Sequence, residues 1–190
     1  MPPKAKFTRA TIIAEALEIV RENGINAITS RDLGKRLGSS ACPIFTVFNN
    51  MKEIKEEVIQ TAKTIYRKYV NDGLKQELAF RGVGIAYIRF AIKEPKLFQL
   101  LFMSEQNQQL DLEHILLYLD DSYKEIIESI ETSLHLSTEN AKWLYQHLWI
   151  YTHGIATLCA TKVCSFSDSE INALMTEVFN SLLKTLKKKN

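Results

Sequence analysis

The 190-residue sequence predicts an all-α protein, in which a three-helix N-terminal domain is joined by a long fourth helix to a helical C-terminal domain, with about nine helices in total. Nearly every periodic segment repeats its apolar residues at helical rather than strand spacing. Only seven glycines and four prolines interrupt these segments, and 46% of the residues are hydrophobic, enough to fill a core. The expected domains are residues 1–52 and 53–190.

The first two helices are bounded by residues that cap helix ends. Thr8 is expected to cap the first helix, which stops at Gly24, where glycine tolerates a positive φ. Thr29 and Asp32 fit the S/T-x-x-D pattern at the start of a second, short helix. Gly38 is expected to end that helix.

A third short helix and a long fourth helix follow. The third is expected to begin with Ser40 as its N-cap, to carry Pro43 in its first turn and to bury Ile44 and Phe48. The fourth starts near Met51 and continues for roughly 25 residues, which is long enough to connect two parts of the molecule.

A series of helices of ordinary length is expected beyond residue 80. Ser167 and Glu170 fit a capping box at the start of the last helix, and Ser137 offers a simple serine cap for the one before it. The expected helices are Gly82–Lys93, Pro95–Met103, Leu112–His135, Thr138–Lys162 and Ser167–Lys188.

Positive charge is concentrated near the N-terminus. Residues 1–55 contain nine Lys or Arg against five Asp or Glu, whereas the rest of the chain contains 15 against 17. Clustered cations of this kind attract phosphate groups.

Apolar runs and cysteines indicate the compartment. No run approaches the roughly 18–20 apolar residues that a membrane span needs. The three cysteines follow no disulfide-framework spacing, and we interpret Cys159 and Cys164 as buried small side chains rather than as a redox switch. The sequence therefore predicts a cytoplasmic protein without a membrane partner.

The two short helices on either side of Gly38 form a helix-turn-helix pattern. Neither is long enough to be stable alone, so both are expected to pack on the first helix and to leave the outer face of the third exposed. An α-helix with its side chains is about 10–12 Å in diameter and fits the major groove of double-stranded DNA. The expected DNA-binding residues are Thr29, Ser30, Arg31, Ser40, Ala41, Cys42, Pro43, Phe45, Thr46, Asn49 and Lys52.

Each of these side chains suits a particular part of the duplex. Hydroxyls at the helix starts suit phosphate oxygens, and Arg31 can reach a phosphate or a base. The apolar groups of the third helix suit thymine methyls, and Thr46 also offers a hydrogen bond. Lys4, Lys6 and Arg9 form either a basic arm along the DNA or simply solvated charges.

A set of spaced residues runs from the end of the first helix into the fourth. They are Glu22, Gly24, Thr29, Leu33, Leu37, Gly38, Ser40, Ile44, Phe48 and Glu53, with Phe45 and Ile54 as near matches. This set resembles the tetracycline-repressor (TetR) family, whose pattern is E-x-G followed by T-x-x-x-I/L-A-x-x-L-G-V-S-x-x-x-L/I-Y-x-H-F-x-x-K-x-E-L. The resemblance implies a transcriptional regulator, more often a repressor than an activator, that binds a palindromic operator as a homodimer.

Four positions depart from the family pattern. Phe45 replaces the usual tyrosine and offers only apolar contact. Val47 replaces the usual histidine, and Met51 replaces the usual lysine, with Lys52 beside it. Gly34 replaces the usual alanine, which weakens the second helix by up to about 1 kcal/mol.

Two C-terminal stretches, "LWIYTHGIATL" and "EPKLFQLLFM", resemble W-x-x-x-H-G-x-A and P-x-L-F-x-L-M-F elements of one branch of TetR-type regulatory domains. The resemblance implies that the last two helices pair with their copies in a four-helix bundle. Gly154 and Ala156 would let another helix approach closely, and His153 would either cap or hydrogen-bond across that contact. The expected seam includes Leu174, Val178, Leu182 and Leu186, which alternatively close an intramolecular core.

Aromatic residues are frequent between residues 80 and 160, where they form either ordinary core or a pocket for a small apolar or aromatic ligand. In the family, such a ligand moves the fourth helix and releases the operator. The candidate ligand-binding residues are Tyr87, Phe90, Phe98, Phe102, Tyr118, Tyr123 and Trp143.

An enzyme and a helical protein-interaction module are the competing classes. The four histidines show neither H-x-x-x-H spacing nor a cluster with cysteines, and no G-x-S-x-G, phosphate-binding glycine loop or convincing carboxylate pair is present. We therefore predict no catalytic residue, no metal and no cofactor. The salt dependence of duplex binding distinguishes the two kinds of binding protein. The affinity of a DNA-binding protein falls as the salt concentration rises, whereas a flat salt dependence would favour an interaction module.

Overall fold

A computed structural model of the chain describes residues 6–105, 111–119 and 122–189. Over these residues, regular structure consists of nine α-helices and two short 3-10 helices, with no strand, so the predicted all-α fold is confirmed. No helix in these ranges combines the length and apolar character needed to cross a bilayer. The α-helices are α1 (Arg9–Asn23), α2 (Ser30–Arg36), α3 (Met51–Leu74), α4 (Ala79–Lys93), α5 (Pro95–Phe102), α6 (Leu112–Leu119), α7 (Tyr123–Leu134), α8 (Thr138–Ala160) and α9 (Asp168–Lys189). The 3-10 helices are Ile25–Ala27 and Cys42–Thr46.

Contacts divide the chain into two compact units. The first unit comprises Met1–Ile65 and Lys96–Ser104, and the second comprises Tyr66–Pro95 and Glu105–Asn190. Helix α3 contributes residues to both units. The boundary between the units falls within α3, between Ile65 and Tyr66, which is later in the chain than the expected boundary after residue 52. The functional roles assigned to residues 1–52 and 53–190 stay predictions.

The ends of α1 and α2 follow the sequence signals. The Thr8 hydroxyl accepts a hydrogen bond from the Thr11 N–H at 3.1 Å, and Gly24 ends α1 with a φ of 85°. The Thr29 hydroxyl accepts from the Asp32 N–H at 3.1 Å, which caps α2. Both predicted N-caps are therefore confirmed. The buried face of α1 consists of Ile12, Ile13, Ala16, Leu17, Ile19 and Val20.

The third helix differs from the expectation in type and in starting point. It is a five-residue 3-10 helix, and Ala41 rather than Ser40 occupies the N-cap position, without a side-chain hydrogen bond. Helical pieces as short as this one commonly adopt the 3-10 form. The inward positions are confirmed, because Ile44 and Phe48 are fully buried.

Gly34 allows the turn between α2 and the 3-10 helix to pack closely on α2. A Cβ atom at Gly34 would lie 3.0–3.1 Å from backbone atoms of Ser39, Ser40 and Ala41. The Ser39 N–H also donates to the Gly34 carbonyl at 2.9 Å. The residue that lowers the helix propensity of α2 therefore provides the space in which the turn lies.

The second unit is built around α8. Helix α8 packs against α4, α7 and α9, and α4 also packs against α7. The confirmed capping box at α9 consists of the Ser167 N–H, which donates to Glu170 Oε2 at 2.7 Å, and the Glu170 N–H, which donates to Ser167 Oγ at 3.3 Å. Ser137 caps α8, as predicted, by accepting from the Asn140 N–H. The buried residues of α8 are Ala141, Leu144, Tyr145, Leu148, Thr152, Ile155, Ala156 and Ala160.

The expectation that Cys159 and Cys164 are both buried is wrong. Cys159 of α8 is half-buried, and Cys164, in the segment after α8, is exposed.

The prediction of one continuous helix over Leu112–His135 is wrong. Two helices, α6 and α7, occupy this range, and residues 120–121 between them lie outside the described residues. The sequence Asp-Asp-Ser at residues 120–122 consists of residue types that favour helix caps and turns over helix interiors. The apolar periodicity on either side concealed this break.

Two glycines permit α3 and α4 to approach closely in the second unit. A Cβ atom at Gly82 would lie 2.1 Å from the Gly73 carbonyl oxygen, and one at Gly73 would lie 2.7 Å from the Gly82 backbone. Neither distance is compatible with a side chain, so the approach of the two helices depends on both glycines.

We expect Gly82→Ala to destabilise the second unit. The gain in helix propensity is at most about 1 kcal/mol, whereas the displaced backbone costs about 1–3 kcal/mol. Urea unfolding followed by tryptophan fluorescence reports on this unit, because both tryptophans lie in α8. Gly84→Ala, on the same helix, is the matched control, because its Cβ would meet the flexible end of Met175 at 3.4 Å. Equal stability of the two variants would contradict the packing argument.

Candidate functional site

The 3-10 helix presents one face outward while its other face is fixed in the core. We call Cys42, Phe45 and Thr46 the outer face, because all three are exposed. Phe45 is 43% exposed, whereas Ile44 and Phe48 are 0% and 1% exposed. The short helix is therefore anchored by one side and free on the other.

Arg9 fixes the end of the 3-10 helix to the start of α3. Its Nη2 lies 2.8 Å from Glu53 Oε1 and 2.5 Å from Glu57 Oε2, and its Nη1 donates to the Val47 carbonyl at 3.2 Å. The guanidinium carbon also lies 4.1 Å from the centre of the Phe48 ring. One side chain of α1 therefore holds the 3-10 helix and α3 together through charge-assisted hydrogen bonds and a cation–π contact.

This arrangement corrects one part of the expected basic arm. Arg9 is paired with Glu53 and Glu57 inside the first unit and is therefore not simply a solvated charge. Lys6 donates to the Ser39 hydroxyl at 3.0 Å, so it lies against the turn that precedes the 3-10 helix. Lys4 lies outside the described residues.

Asn49 and Asn50 cap α3. The Asn49 backbone N–H and side-chain amide both donate to Glu53 Oε2, at 2.8 and 3.0 Å. The Glu53 N–H donates to the Asn50 side-chain oxygen at 2.9 Å. These bonds from Asn49, with those from Arg9, lower the pKa of Glu53. The amide of Asn49, a predicted DNA contact, is thus used in the cap.

The predicted contacts of α2 differ in availability. The Thr29 hydroxyl accepts from the Asp32 N–H and donates to the Asp32 carboxylate at 2.6 Å, so it serves the helix cap. Ser30 is half-buried. Arg31 is exposed, and no described acidic side chain pairs with it. Arg31 is therefore the available cation of this helix start.

The remaining predicted DNA contacts lie on or beside the outer face. Ser40 is exposed, and Ala41 and Pro43 are half-buried. The Thr46 hydroxyl donates to the Pro43 carbonyl at 2.7 Å, which leaves its oxygen lone pairs as acceptors. Lys52 has a side chain that is 85% exposed and lies 3.8 Å from Glu56, a weak contact at the surface.

A separate cavity of about 190 Å³ lies within the second unit. Residues of α3, α4, α8 and α9, together with Leu78 before α4, form its wall, which is mainly aromatic and aliphatic. The lining residues are Tyr66, Leu78, Phe80, Arg81, Val83, Gly84, Tyr87, Tyr145, Leu148, Trp149, Thr152, Met175, Thr176, Phe179 and Asn180.

Of the predicted ligand-binding residues, Tyr87 lines this cavity. Phe90 is fully buried, with its ring centre 5.3 Å from those of Tyr66 and Tyr69. Phe98 and Phe102 belong to α5 in the first unit, where their ring centres lie 5.2 Å apart.

The other three candidates also lie elsewhere. Tyr123 packs against Tyr145, with ring centres 5.7 Å apart, and Trp143 packs against His147 at 4.1 Å. The side chain of Tyr118 lies outside the described residues. Sequence reasoning missed the aromatic wall formed by Phe80, Tyr145, Trp149 and Phe179, because helical spacing alone does not show which side chains face a cavity.

His153 joins two residues of the cavity wall. Its Nδ1 lies 2.9 Å from the Tyr87 hydroxyl, and its ring stacks on Trp149 with centres 4.8 Å apart. Burial lowers the pKa of His153, which favours the neutral form of the ring. His153 therefore hydrogen-bonds across a contact between α8 and α4 of its own chain.

One face of α8 is apolar and exposed. Ile150 and Leu158 are 53% and 36% exposed, and Gly154 between them has no atom within 4 Å of where a Cβ would lie. A spacing of four residues places all three on one face, which we call the α8 stripe. Ala156 is fully buried and therefore does not belong to this surface.

The expected seam of α9 is partly used inside the chain. Leu186 is buried, and Leu174, Val178 and Leu182 are half-buried. These four residues therefore contribute to the single-chain core, as the alternative interpretation required, while three of them retain some exposed surface.

Comparisons of the chain with models of known protein families, with curated proteins and with solved structures give no match. Among the described side chains, no three His, Cys, Asp or Glu residues gather in a way that would hold a metal ion. Two sites of known geometry therefore bear on function: the outer face of the 3-10 helix and the cavity of the second unit.

We expect the cap of α3 to titrate at unusually low pH. Because the pKa of Glu53 is lowered in the folded state, the cap is present above the ordinary glutamate pKa of about 4.3 and is lost as the pH falls through the lowered value. The Asn49 amide proton, followed by NMR, should report a midpoint below the ordinary value. Arg9→Gln should raise this midpoint only in part, since the Asn49 backbone bond is the largest cause. A midpoint at or above the ordinary value in the unaltered protein would contradict the cap geometry.

Proposed function

We propose that this chain is a cytoplasmic transcriptional regulator of the TetR type, rather than an enzyme. In this proposal it binds a palindromic operator as a homodimer, acts as a repressor and is released by a small apolar or aromatic ligand. The observation that carries the proposal is the anchored 3-10 helix whose outer face remains exposed. This short helix follows α2, is held in place by α1, and therefore has the arrangement of a recognition helix in a helix-turn-helix.

The chemistry of the outer face suits base edges in the major groove. Phe45 and the ring of Pro43 supply apolar contact of the kind that thymine methyls make, and the Thr46 oxygen accepts hydrogen bonds from base amino groups. A five-residue helix presents only a few side chains, so the proposed readout covers a short stretch of bases in each half-site.

Available cations lie in elements that flank this face. Arg31 precedes it in α2, and Lys52 follows it in the first turn of α3. Arg9 and Arg36 are instead engaged by acids, Arg36 through an ion pair with Glu22. Arg31 and Lys52 are therefore the proposed phosphate contacts, which fix the register of the helix on the duplex.

Selection of bound fragments from random duplexes tests this function directly. We expect enrichment of palindromic sequences whose half-site centres are about 10 base pairs, or a multiple of that, apart. Failure to enrich any sequence, together with binding that does not depend on salt, would instead favour the helical interaction module.

We expect Lys52→Gln to weaken binding to every duplex and to reduce the slope of log affinity against log salt by about one. Thr46→Ala should instead change the preference among sequences, since it removes a base contact. Fluorescence anisotropy over a salt series distinguishes these effects. The matched control is Lys124→Gln on α7, because Lys124 is 87% exposed and lies 3.7 Å from a glutamate four residues later, as Lys52 does. Equal effects of Lys52→Gln and Lys124→Gln would refute the assignment.

The α8 stripe supports the homodimer in this proposal. Its two large apolar side chains flank a glycine where a partner helix finds no obstruction, a pattern suited to close helix packing. A two-fold interface of this kind places the same stripe of both subunits in contact.

We expect Ile150→Asp to convert the dimer to monomer and to weaken operator binding, because the carboxylate would be buried at the centre of the interface. Leu117→Asp on α6 is the control, since Leu117 is similarly exposed, at 50%, on another helix. Sedimentation velocity measures both. A monomeric parent protein, or an Ile150→Asp variant that remains dimeric, would rule out this interface.

The cavity supports regulation by a ligand. Tyr66 of α3 lines the cavity, and the first turn of the same helix contains Glu53, which holds Arg9 and Asn49. A ligand that favours one position of α3 would thereby alter the presentation of the 3-10 helices in the dimer. In this mechanism, ligand and operator compete without touching, so a saturating ligand must lower operator affinity at fixed salt.

A further inference from the structure

The charges around the cavity of the second unit are unequal. Arg81 is the one residue among those lining it that carries a full charge, and no aspartate or glutamate belongs to the wall. A cationic ligand that moved from water into the cavity would therefore meet no negative side chain to balance its charge, which is costly in an apolar site. An anionic ligand would meet the positive charge of Arg81.

Arg81 has hydrogen-bond donors to offer. Within the described part of the chain, its one side-chain hydrogen bond is a long one of 3.4 Å from Nη2 to the Asn172 side-chain oxygen, and no acid there pairs with it. Arg89 on the same helix lies 3.9 Å from Asp168 and does not line this cavity. A guanidinium presents five N–H donors in a planar fork that matches a carboxylate. Arg81 is thus suited to hold an acid group at the cavity.

The other polar groups of the wall indicate which part of a ligand lies inside. The Thr152 hydroxyl is buried and already donates to the Leu148 carbonyl at 2.7 Å. The Tyr87 hydroxyl is bonded to His153. Thr176 and Asn180, like Arg81, are exposed residues of the wall. Polar recognition is therefore concentrated where the cavity meets solvent, and the interior suits an apolar body.

The cavity volume limits the size of that body. An apolar cavity of roughly 150 Å³ accommodates benzene, and this one measures about 190 Å³. A single ring with a short chain, or an aliphatic chain of similar volume, is of the right size.

We propose that the second unit binds small apolar monocarboxylates, with the carboxylate on Arg81 and the apolar body among Tyr87, Tyr145, Trp149 and Phe179. This assignment rests on the proposed ligand-regulated function, for which it names the class of regulating ligand. Two parallel N–H···O bonds from one guanidinium give both the affinity for the acid and its orientation.

The test compares ligands of equal shape and different charge. Isothermal titration calorimetry of the full chain, without DNA, uses 3-phenylpropanoate with its amide and amine analogues, and octanoate with octanamide. We expect at least one carboxylate to bind about tenfold or more tightly than its neutral analogue, and the amine to bind no more tightly than the amide. Equal affinities within each set, tighter binding of the amine, or no binding by either carboxylate at millimolar concentration would overturn the proposal.

Variants identify the residue responsible. Arg81→Gln should reduce carboxylate affinity about tenfold and leave amide affinity unchanged. Arg89→Gln, on the same helix but outside the cavity wall, should change neither. Because Arg81 is exposed, the variant should unfold at the same temperature as the parent, which circular dichroism checks. Carboxylate affinity unchanged in Arg81→Gln would overturn the assignment.

The same measurements separate this inference from the proposed regulator. If the carboxylate binds through Arg81 but operator affinity does not change at fixed salt, the ligand class stands and the proposed regulation fails. If the chain binds an operator but neither carboxylate, the regulator stands and the ligand class fails. The two proposals are thus tested by different outcomes.

Discussion

The cluster of Arg9, Asn49 and Glu53 is the interaction on which the proposed DNA-binding surface depends. The Glu53 carboxylate accepts hydrogen bonds from Arg9 of α1 and from Asn49, which lies between the 3-10 helix and α3. Because α1 and α3 are thereby held to the same short element, Ile44 and Phe48 stay in the core and the outer face stays in solvent. A five-residue 3-10 helix has little intrinsic stability, so its orientation must come from such contacts.

In the second unit, apolar packing rather than ion pairing defines the cavity. Gly73 and Gly82 let α3 and α4 approach, and α8 and α9 complete an aromatic wall. One guanidinium, that of Arg81, supplies the charge. The two units thus differ in chemistry: the outer face lies in solvent between the exposed cations Arg31 and Lys52, whereas the cavity is mainly apolar and meets solvent beside Arg81.

Local signals predicted much of this fold. The caps at Thr8, Thr29, Ser137 and Ser167 depend on residues within a few positions of each other, so the sequence contains them directly. The break between α6 and α7 and the 3-10 form of Cys42–Thr46 were missed, since apolar periodicity fixes neither. The Arg9 contacts and the cavity wall were also missed, because each joins residues more than 35 positions apart, and only tertiary packing determines such pairs.

Affinity cleavage from Cys42 is the most direct test of the central claim that the outer face enters the major groove. Cys42 is an exposed free thiol on that face, and Cys159→Ser with Cys164→Ser leaves it as the sole attachment point for an iron chelate. On a selected duplex, the account predicts two clusters of strand cleavage related by the symmetry of the operator. The control protein keeps Cys164 and carries Cys42→Ser with Cys159→Ser, so that the chelate is attached at Cys164. Uniform cleavage along the bound duplex, or the same cleavage pattern from this control, would contradict the claim.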